Sequence, residues 1–524
     1  MIYYFLIFIS SLSSIANGVE IITQKGELHI VNKQISPDGF PRSAVLAGAT
    51  SDTAAFPGPI IRANKHWHGL FQHGTNWADG PEFVTQCPII PGNSFKYHFS
   101  VPDQAGTYWY HSHFRAQYCD GLRGPLVIYD PEDPHRDLYH VDDENTIITL
   151  ADWYHRPSPV IIPQRPQADS TLINGLGRWS QGNLTAPLAI INVEQGTRYR
   201  FRLVSVSCDP DFQFSIDGHN LTVIEADGVN VKPVKVNTVN ILAAQRYSVV
   251  FEANQPVGNY WMRALPGASG PQGFDNGINS AILRYKGAPE LEPNSTLPLP
   301  ENVIMLHETD LHFLSPNNQS AVPGRPQPDG ADVILDMILG FDQNTGAFMV
   351  NNTKFEVPDV PVLLQVLSGA QTAQDLLPKG SVYDFPRNKV IQINLFNNNT
   401  VGGPHPFHLH GHTFDVIKSA ESDKFNFEDP VRRDTVAVAG NNITSIRFVS
   451  DNPGPWILHC HIDWHLVNGL AVVLAEAPKD TKAANPVPRA YILDIEHITL
   501  VNILFDSGLG EVVSDLEQHI PRHS

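Results

Sequence analysis

One arrangement recurs three times along this chain, and it limits the fold more than any other feature. KYHFSVPDQAGTYWYHSH around Trp109, RYSVVFEANQPVGNYWMRAL around Trp261 and SIRFVSDNPGPWILHCH around Trp456 share one order of features. Each is an alternating strand, a Pro/Gly turn and a second strand bearing a tryptophan, followed by RGPLVIYD, NSAILRYKG or NGLAVVLAEAP as a closing strand. Alternation at Phe95, Tyr97, Phe99, at Tyr199, Phe201, Leu203 and at Ile391, Ile393, Leu395 marks half-buried strands. Pro and Gly punctuate them at the spacing of sandwiches and barrels. The expected fold is all-β, with three Greek-key sandwich or barrel domains. At 524 residues the chain is long enough for each to bury its own core. We place the domains at residues 19–133, 134–300 and 301–485, leaving 1–18 and 486–524 outside them.

Four histidine clusters are set on this repeat. They are HWHG (His66, His68), HSH (His111, His113), HPFHLHGH (His405, His408, His410, His412) and HCHIDWH (His459, Cys460, His461, His465). The tryptophan strand runs into ligand-type residues in the first and third copies, but the middle copy has Met262, Arg263 and Ala264. The middle domain therefore reads as a spacer, and the outer two should face each other across a metal cluster. Residues i and i+2 of a strand point to one side, so each His-x-His pair presents two nitrogens together. Four such pairs supply eight imidazoles, which suits three metal ions. Cys460 lies between His459 and His461 and so points the other way, where His405 and His465 can join it in a trigonal site. A thiolate beside imidazoles selects copper, and the lack of a cysteine quartet argues against structural zinc.

A net charge of -19 repels nucleic acid and anionic membranes. MIYYFLIFISSLSSIANG, residues 1–18, reads as a secretory signal peptide, and no later segment is apolar enough to span a bilayer. Sequons at Asn183, Asn220, Asn294, Asn318, Asn351, Asn398 and Asn442 favour a secreted glycoprotein. Besides Cys460 the cysteines are Cys87, Cys119 and Cys208, an odd count for a secreted chain.

The four clusters resemble the copper-binding signatures of the multicopper oxidases. TNWADGP, QCPI, CDGLRGPLVIYD, SPDGF and HCHIDWHL resemble basidiomycete laccases, and the likeness runs over roughly residues 20–490. The resemblance implies cupredoxin-like domains and four coppers. His66 and His408 match the type 2 ligands, and His68, His111, His113, His410, His459 and His461 match the type 3 pair. His405, Cys460 and His465 match the type 1 site. The implied reaction is one-electron oxidation of phenolic or aromatic, lignin-related substrates at His465. The electron passes through Cys460 to His459 or His461, and four such steps reduce O2 to water. By the same resemblance Leu470, ten residues after Cys460, stands at the axial place of type 1 copper, where it cannot ligate and should raise the potential. Ignoring the resemblance, it is a core residue of a strand. Asp209 matches the acid of the phenol pocket, a proton acceptor, though alone it would be a surface aspartate. Asp79 and Asp463 match carboxylates near the trinuclear cluster, where protons are consumed. His412 reads as structural, and His73, His98 and His135 as non-ligands. Cys119 with Cys208 would bridge the first two domains. The chain would act as a monomer on small phenols and O2. The alternatives are a ferroxidase of the same superfamily, which needs carboxylates over the type 1 histidines and has Asp209 as its candidate, and a secreted copper-binding glycoprotein with impaired turnover.

Two departures from the family stand out. PGPIIRAN runs directly into KHWHG, with no residue between them, where the second domain has IINVEQGTRYRFRLVSVS and the third has KVIQINLFNNN. The first domain should therefore lack a strand pair, leaving unpaired backbone and a poorly anchored His66 and His68. After NPVPRA the tail YILDIEHITLVNILFDSGLGEVVSDLEQHIPRHS lacks the cysteine that pairs with the QCPI cysteine, Cys87, in the family.

Overall fold

The computed structural model describes residues 14–16, 19–22, 26–62, 68–101, 104–161, 166–294, 302–315, 322–398, 401 and 403–486. His66, Asn318, the tail after residue 486 and most of the expected leader lie outside the described residues. Within that leader Ser14–Ala16 pairs antiparallel with Val19–Ile22.

The repeat becomes three β units built around equivalent tryptophan strands: Gly106–His111, Asn259–Pro266 and Gly454–Cys460. Each pairs antiparallel with its closing strand: Arg123–Ile128, Ser280–Tyr285 and Ala471–Glu476. Trp109 and Trp456 are fully buried, and Trp261 nearly so, because a large apolar ring on the inward face of a sheet is what closes a sandwich core. The middle unit stacks a seven-stranded sheet on a five-stranded one, and the third stacks six strands on five. These are the expected half-buried strands: Tyr199, Phe201 and Leu203 lie in Arg198–Ser205, and Ile391, Ile393 and Leu395 in Val390–Asn397.

The first unit differs. It has one five-stranded sheet and a two-stranded ribbon, His29–Ile35 with Arg42–Gly48. The strand expected at Phe95, Tyr97 and Phe99 is not formed; residues 93–101 run as irregular chain. In the middle unit the corresponding strand, Arg246–Glu252, is flanked by Arg198–Ser205 on one side and Leu221–Ala226 on the other. In the third unit Asn442–Val449 likewise sits between Val390–Asn397 and Phe414–Lys418. The first unit passes from Arg62 to His68 through residues 63–67 alone, so no chain is available there for an equivalent of Arg198–Ser205. Alternation can form a strand only against a ladder partner. A cavity of about 2450 Å³ lies in this region, lined by Ile30, Phe95 and Tyr97 and reaching His68, His111 and His113.

The first and middle units are covalently joined by a Cys119–Cys208 disulfide spanning 89 residues, as the resemblance implied. Cys87 is a buried thiol. Closing a loop of that length removes denatured-state entropy worth about 4 kcal/mol. The double variant Cys119→Ser/Cys208→Ser should lose about that much stability, seen as a lower denaturant midpoint with an unchanged circular dichroism spectrum in the absence of denaturant.

Candidate metal centres

The register of the third unit brings the histidines together. His405–Leu409 lies antiparallel to Gly454–Cys460 with His408 opposite His459 and Phe407 opposite Cys460. The first unit contributes His111 from its tryptophan strand and His113 just beyond it. His68 is held to that strand by a bridge in which its amide donates to the Trp109 carbonyl at 2.9 Å. His68 itself is thus buried and tied to that strand, while the rest of the segment expected to be poorly anchored, His66 included, lies outside the described residues.

Two groups of three imidazoles result: His68 with His111 and His461, and His113 with His410 and His459. In each, one ligand atom per residue lies within 4.8 Å of the others. Both groups draw on the first and third units, as the repeat predicts. Burial and the neighbouring imidazoles hold His68, His111, His410, His459 and His461 well below the usual histidine range. The same causes push His113 down to about 3. Neutral imidazoles are the form that ligates metal.

Which nitrogen is available follows from the partner of the other. A carbonyl only accepts, so His111 Nδ1 donates to Ser112 O, His459 Nδ1 to Cys460 O and His408 Nδ1 to Asp434 O, each at 2.9 Å. His410 Nδ1 donates to Asp79 Oδ2, also at 2.9 Å. The lone pair is left on Nε2 in all four. His410 Nε2 and His459 Nε2 stand 3.3 Å apart, while His113 Nε2 and His461 Nε2 are buried without a hydrogen-bond partner. Orphaned, unprotonated nitrogens converging in a closed space are the pattern of a metal site, and the donor set fits copper.

Behind this cluster, on the opposite face of the same strand, Cys460 Sγ lies 3.6 Å from both His405 Nδ1 and His465 Nδ1. His465 comes from the short helix Asp463–Val467 and is partly exposed, whereas His405 and Cys460 are buried. Burial pushes the Cys460 thiol up and His405 down to about 4, so both are neutral until a cation binds. Leu470 is fully buried beside this group: its carbonyl accepts from Cys460 N and its amide donates to His465 O.

The carboxylates fall as follows. Asp79 is buried against His410, and burial raises it to about 7. Asp463 is buried and raised well above the carboxylate range by burial, with Glu82 adding to it. Asp209 is half-buried next to the disulfide, its amide donating to Asp152 Oδ2; burial and Asp152 raise it to about 7. The loop holding it also touches the His465 helix, since Asp463 N donates to Cys208 O. His412 takes no place in the histidine groups and pairs at 3.1 Å with buried Glu476. His73 and His98 are exposed, and His135 packs beside Asp133. Three participants had no recognisable motif: Glu476, Asp434 and Arg246. Asp434 forms a further buried group with His68 and His408. Arg246, from the domain read as a spacer, grips Asp434 through both carboxylate oxygens.

Multicopper oxidase models match residues 62–133, 144–288 and 356–480. The chain belongs to the multicopper oxidase family. It is 54% identical over 508 residues to a laccase from Pycnoporus cinnabarinus, covering 92% of this chain and 95% of that protein. It is 54% identical to laccase-2 from Trametes versicolor, covering 92% and 96%. Among solved structures, the laccase from Botrytis aclada aligns with a TM-score of 0.76 at 29% identity, covering 94% of this chain and 93% of that one. Fet3p, a multicopper oxidase that functions in iron import, aligns with a TM-score of 0.77 at 26% identity, covering 92% and 95%. The three units are thus cupredoxin-like domains, and the histidine groups lie in a family that binds copper.

The His412–Glu476 pair is structural by this geometry. Glu476→Ala removes the carboxylate that holds buried His412 above the usual histidine range and leaves the ring without that partner, which should cost roughly 1–3 kcal/mol. Denaturation should report that loss, while metal analysis finds the copper content unchanged.

Proposed function

We propose that this chain is a laccase with a type 1 copper on His405, Cys460 and His465 and a trinuclear cluster. The type 3 pair would sit on His68, His111, His113, His410, His459 and His461, and the type 2 copper on His66 and His408. The reading rests on one observation above all: Cys460 faces His405 and His465, while its two neighbours in sequence belong one to each three-histidine group. Bound copper supplies one-electron redox chemistry, at a soft thiolate site on one face and at an oxygen-sized cluster on the other.

The protein's own groups do the rest. With copper held by His405, Cys460 and His465, the partly exposed edge of His465 would be where a phenol approaches to give up its electron, and the peptide run His459–Cys460–His461 would be the covalent link between the faces. Asp209, beside the His465 helix, accepts the phenolic proton as the electron leaves. Asp79 and Asp463 hold protons at the cluster, with Asp79 raised to about 7 by burial, a value suited to giving and retaking one. Leu470, fully buried beside Cys460 and His465, has no thioether to offer a copper held there, which would favour the cuprous form and a high potential. Work outside the cell is supported by the exposed asparagines that open the sequons at Asn183, Asn220, Asn294 and Asn398. By contrast, the side-chain amides of Asn351 and Asn442 are taken up by protein carbonyls. No helix among the described residues is long and apolar enough to cross a membrane. A single chain supplies both faces of the site, which supports action as a monomer.

Cys460→Ser replaces the thiolate with a hard hydroxyl. The intense blue absorption and phenol-dependent oxygen uptake should both disappear, while the type 3 histidines still load copper; an undiminished blue colour would sink the assignment. Asp209→Asn should lower kcat/KM for a phenol by roughly 100-fold and leave a one-electron donor with no proton to lose almost unaffected. The carboxylate form exists above about pH 7, so the deficit should shrink as the pH falls below that value.

A further inference from the structure

Arg246 begins Arg246–Glu252, an interior strand of the middle domain's seven-stranded sheet, and is completely buried. Its Nη1 and Nη2 donate to Asp434 Oδ1 and Oδ2 at 2.8 and 2.7 Å, a bidentate pair closed off from solvent. Its Nε donates at 3.0 Å to the carbonyl of Thr107, in the first-domain strand that ends at His111. Its own backbone amide donates to Asp227 Oδ1 at 2.8 Å, and Asp227 Oδ2 accepts from Arg433 Nε at 2.9 Å. One guanidinium therefore ties together all three domains.

Asp434 turns that tie toward the histidines. Its Oδ1 stands 3.5 Å from His68 Nε2 and 3.5 Å from His408 Nδ1, and its backbone carbonyl takes the His408 Nδ1 proton. The rings of His68 and His408 stack at 3.7 Å between centroids, although they come from different domains. Gly69, in the HWHG segment, packs its backbone against the ion pair. A Cβ there would meet Asp434 Oδ2 at 2.6 Å and Arg246 Nη2 at 2.7 Å, and the residue has φ +93°. That glycine is required twice over, for its backbone conformation and for the close approach.

We propose that Arg246 and Asp434 are positioning residues of the trinuclear site. Asp434 selects the ligating nitrogen of His68 and of His408, and Arg246 fixes Asp434 relative to the strand of His111. Both ring nitrogens of His68 are buried without a hydrogen-bond partner, and Nε2 is the one that faces the carboxylate, at 3.5 Å, so the carboxylate favours the proton on Nε2 and the lone pair on Nδ1. At His408 the carbonyl of the same residue does the opposite, leaving Nε2. The middle domain, which has no copper ligand of its own, thereby sets the separation and the tautomers of ligands from the two domains on either side. This inference rests on the ligand reading proposed above. Groups that orient metal-binding histidines govern metal affinity by roughly 10- to 100-fold.

The test uses the full chain, with Arg246→Met, Asp434→Asn and the double variant Arg246→Met/Asp434→Leu. The double variant removes both charges together, which a buried site tolerates far better than the loss of one. Three quantities are read: blue type 1 absorption, the near-ultraviolet band of the type 3 pair, and copper affinity by chelator competition. The type 1 site lies wholly in the third domain and serves as the folding control. Expected is a double variant that stays blue while copper affinity at the trinuclear histidines falls roughly 10- to 100-fold, with Asp434→Asn between it and the unmodified chain. Unchanged affinity in a blue double variant overturns the proposal. So does parallel loss of blue and near-ultraviolet bands in all three variants, since the pair would then act on the fold alone. An unmodified chain that lacks the near-ultraviolet band overturns the ligand reading itself, and this inference with it.

Discussion

A site of this kind requires imidazoles to be buried together, uncharged, each with one nitrogen turned inward. Charged rings at these separations would repel one another in a space that solvates them poorly, so burial and mutual proximity keep them neutral. The outward nitrogen must then donate, and here backbone carbonyls of Ser112, Cys460 and Asp434 and the carboxylate of Asp79 accept from His111, His459, His408 and His410. These acceptors lie next to strand residues in two different domains. The whole arrangement therefore depends on how the first and third domains are docked, and so on what docks them.

That docking is unusually polar. The Cys119–Cys208 bridge joins the first domain to the second, and Thr107 is bound by Glu225, Arg202 and Arg246 of the second. Asp227, Arg246, Arg433 and Asp434 then join the second to the third. Buried charges of this sort stabilise little compared with apolar packing, but an unmatched partner is strongly penalised, so only one docking satisfies them all. Hydrophobic contact alone would permit the domains to slide; the ion pairs prevent it. A metal cluster shared between domains tolerates little misplacement of its ligands, which is where such specificity has its use.

Much of the copper chemistry was legible in the amino-acid order. Residues two apart on a strand share a face by covalent geometry, so His459 and His461 had to part company with Cys460, and the structure places them on opposite sides of one strand. His405 and His465 stand beside the thiol, as the spacing allowed. The middle domain's lack of ligand residues was equally visible, but the pairing of its Arg246 with Asp434 was not, because Arg246 is one arginine in an ordinary strand pattern. The alternation at Phe95, Tyr97 and Phe99 also misled. It is a strand signal in every local respect, and what defeats it is the short passage from Arg62 to His68, which contains no neighbour for it to pair with.

The sequence by itself determined the threefold β repeat, the two faces of the Cys460 strand and the metal those side chains select, because period-two geometry and ligand softness are properties of a few adjacent residues. The tertiary structure alone decided that Glu476 neutralises His412, that Asp434 stands between His68 and His408, and that Arg246 reaches it across 188 residues. Those contacts join residues with no shared periodicity or motif. They exist only once three domains have been brought together, and the energy that selects them is the cost of burying a charge without its partner.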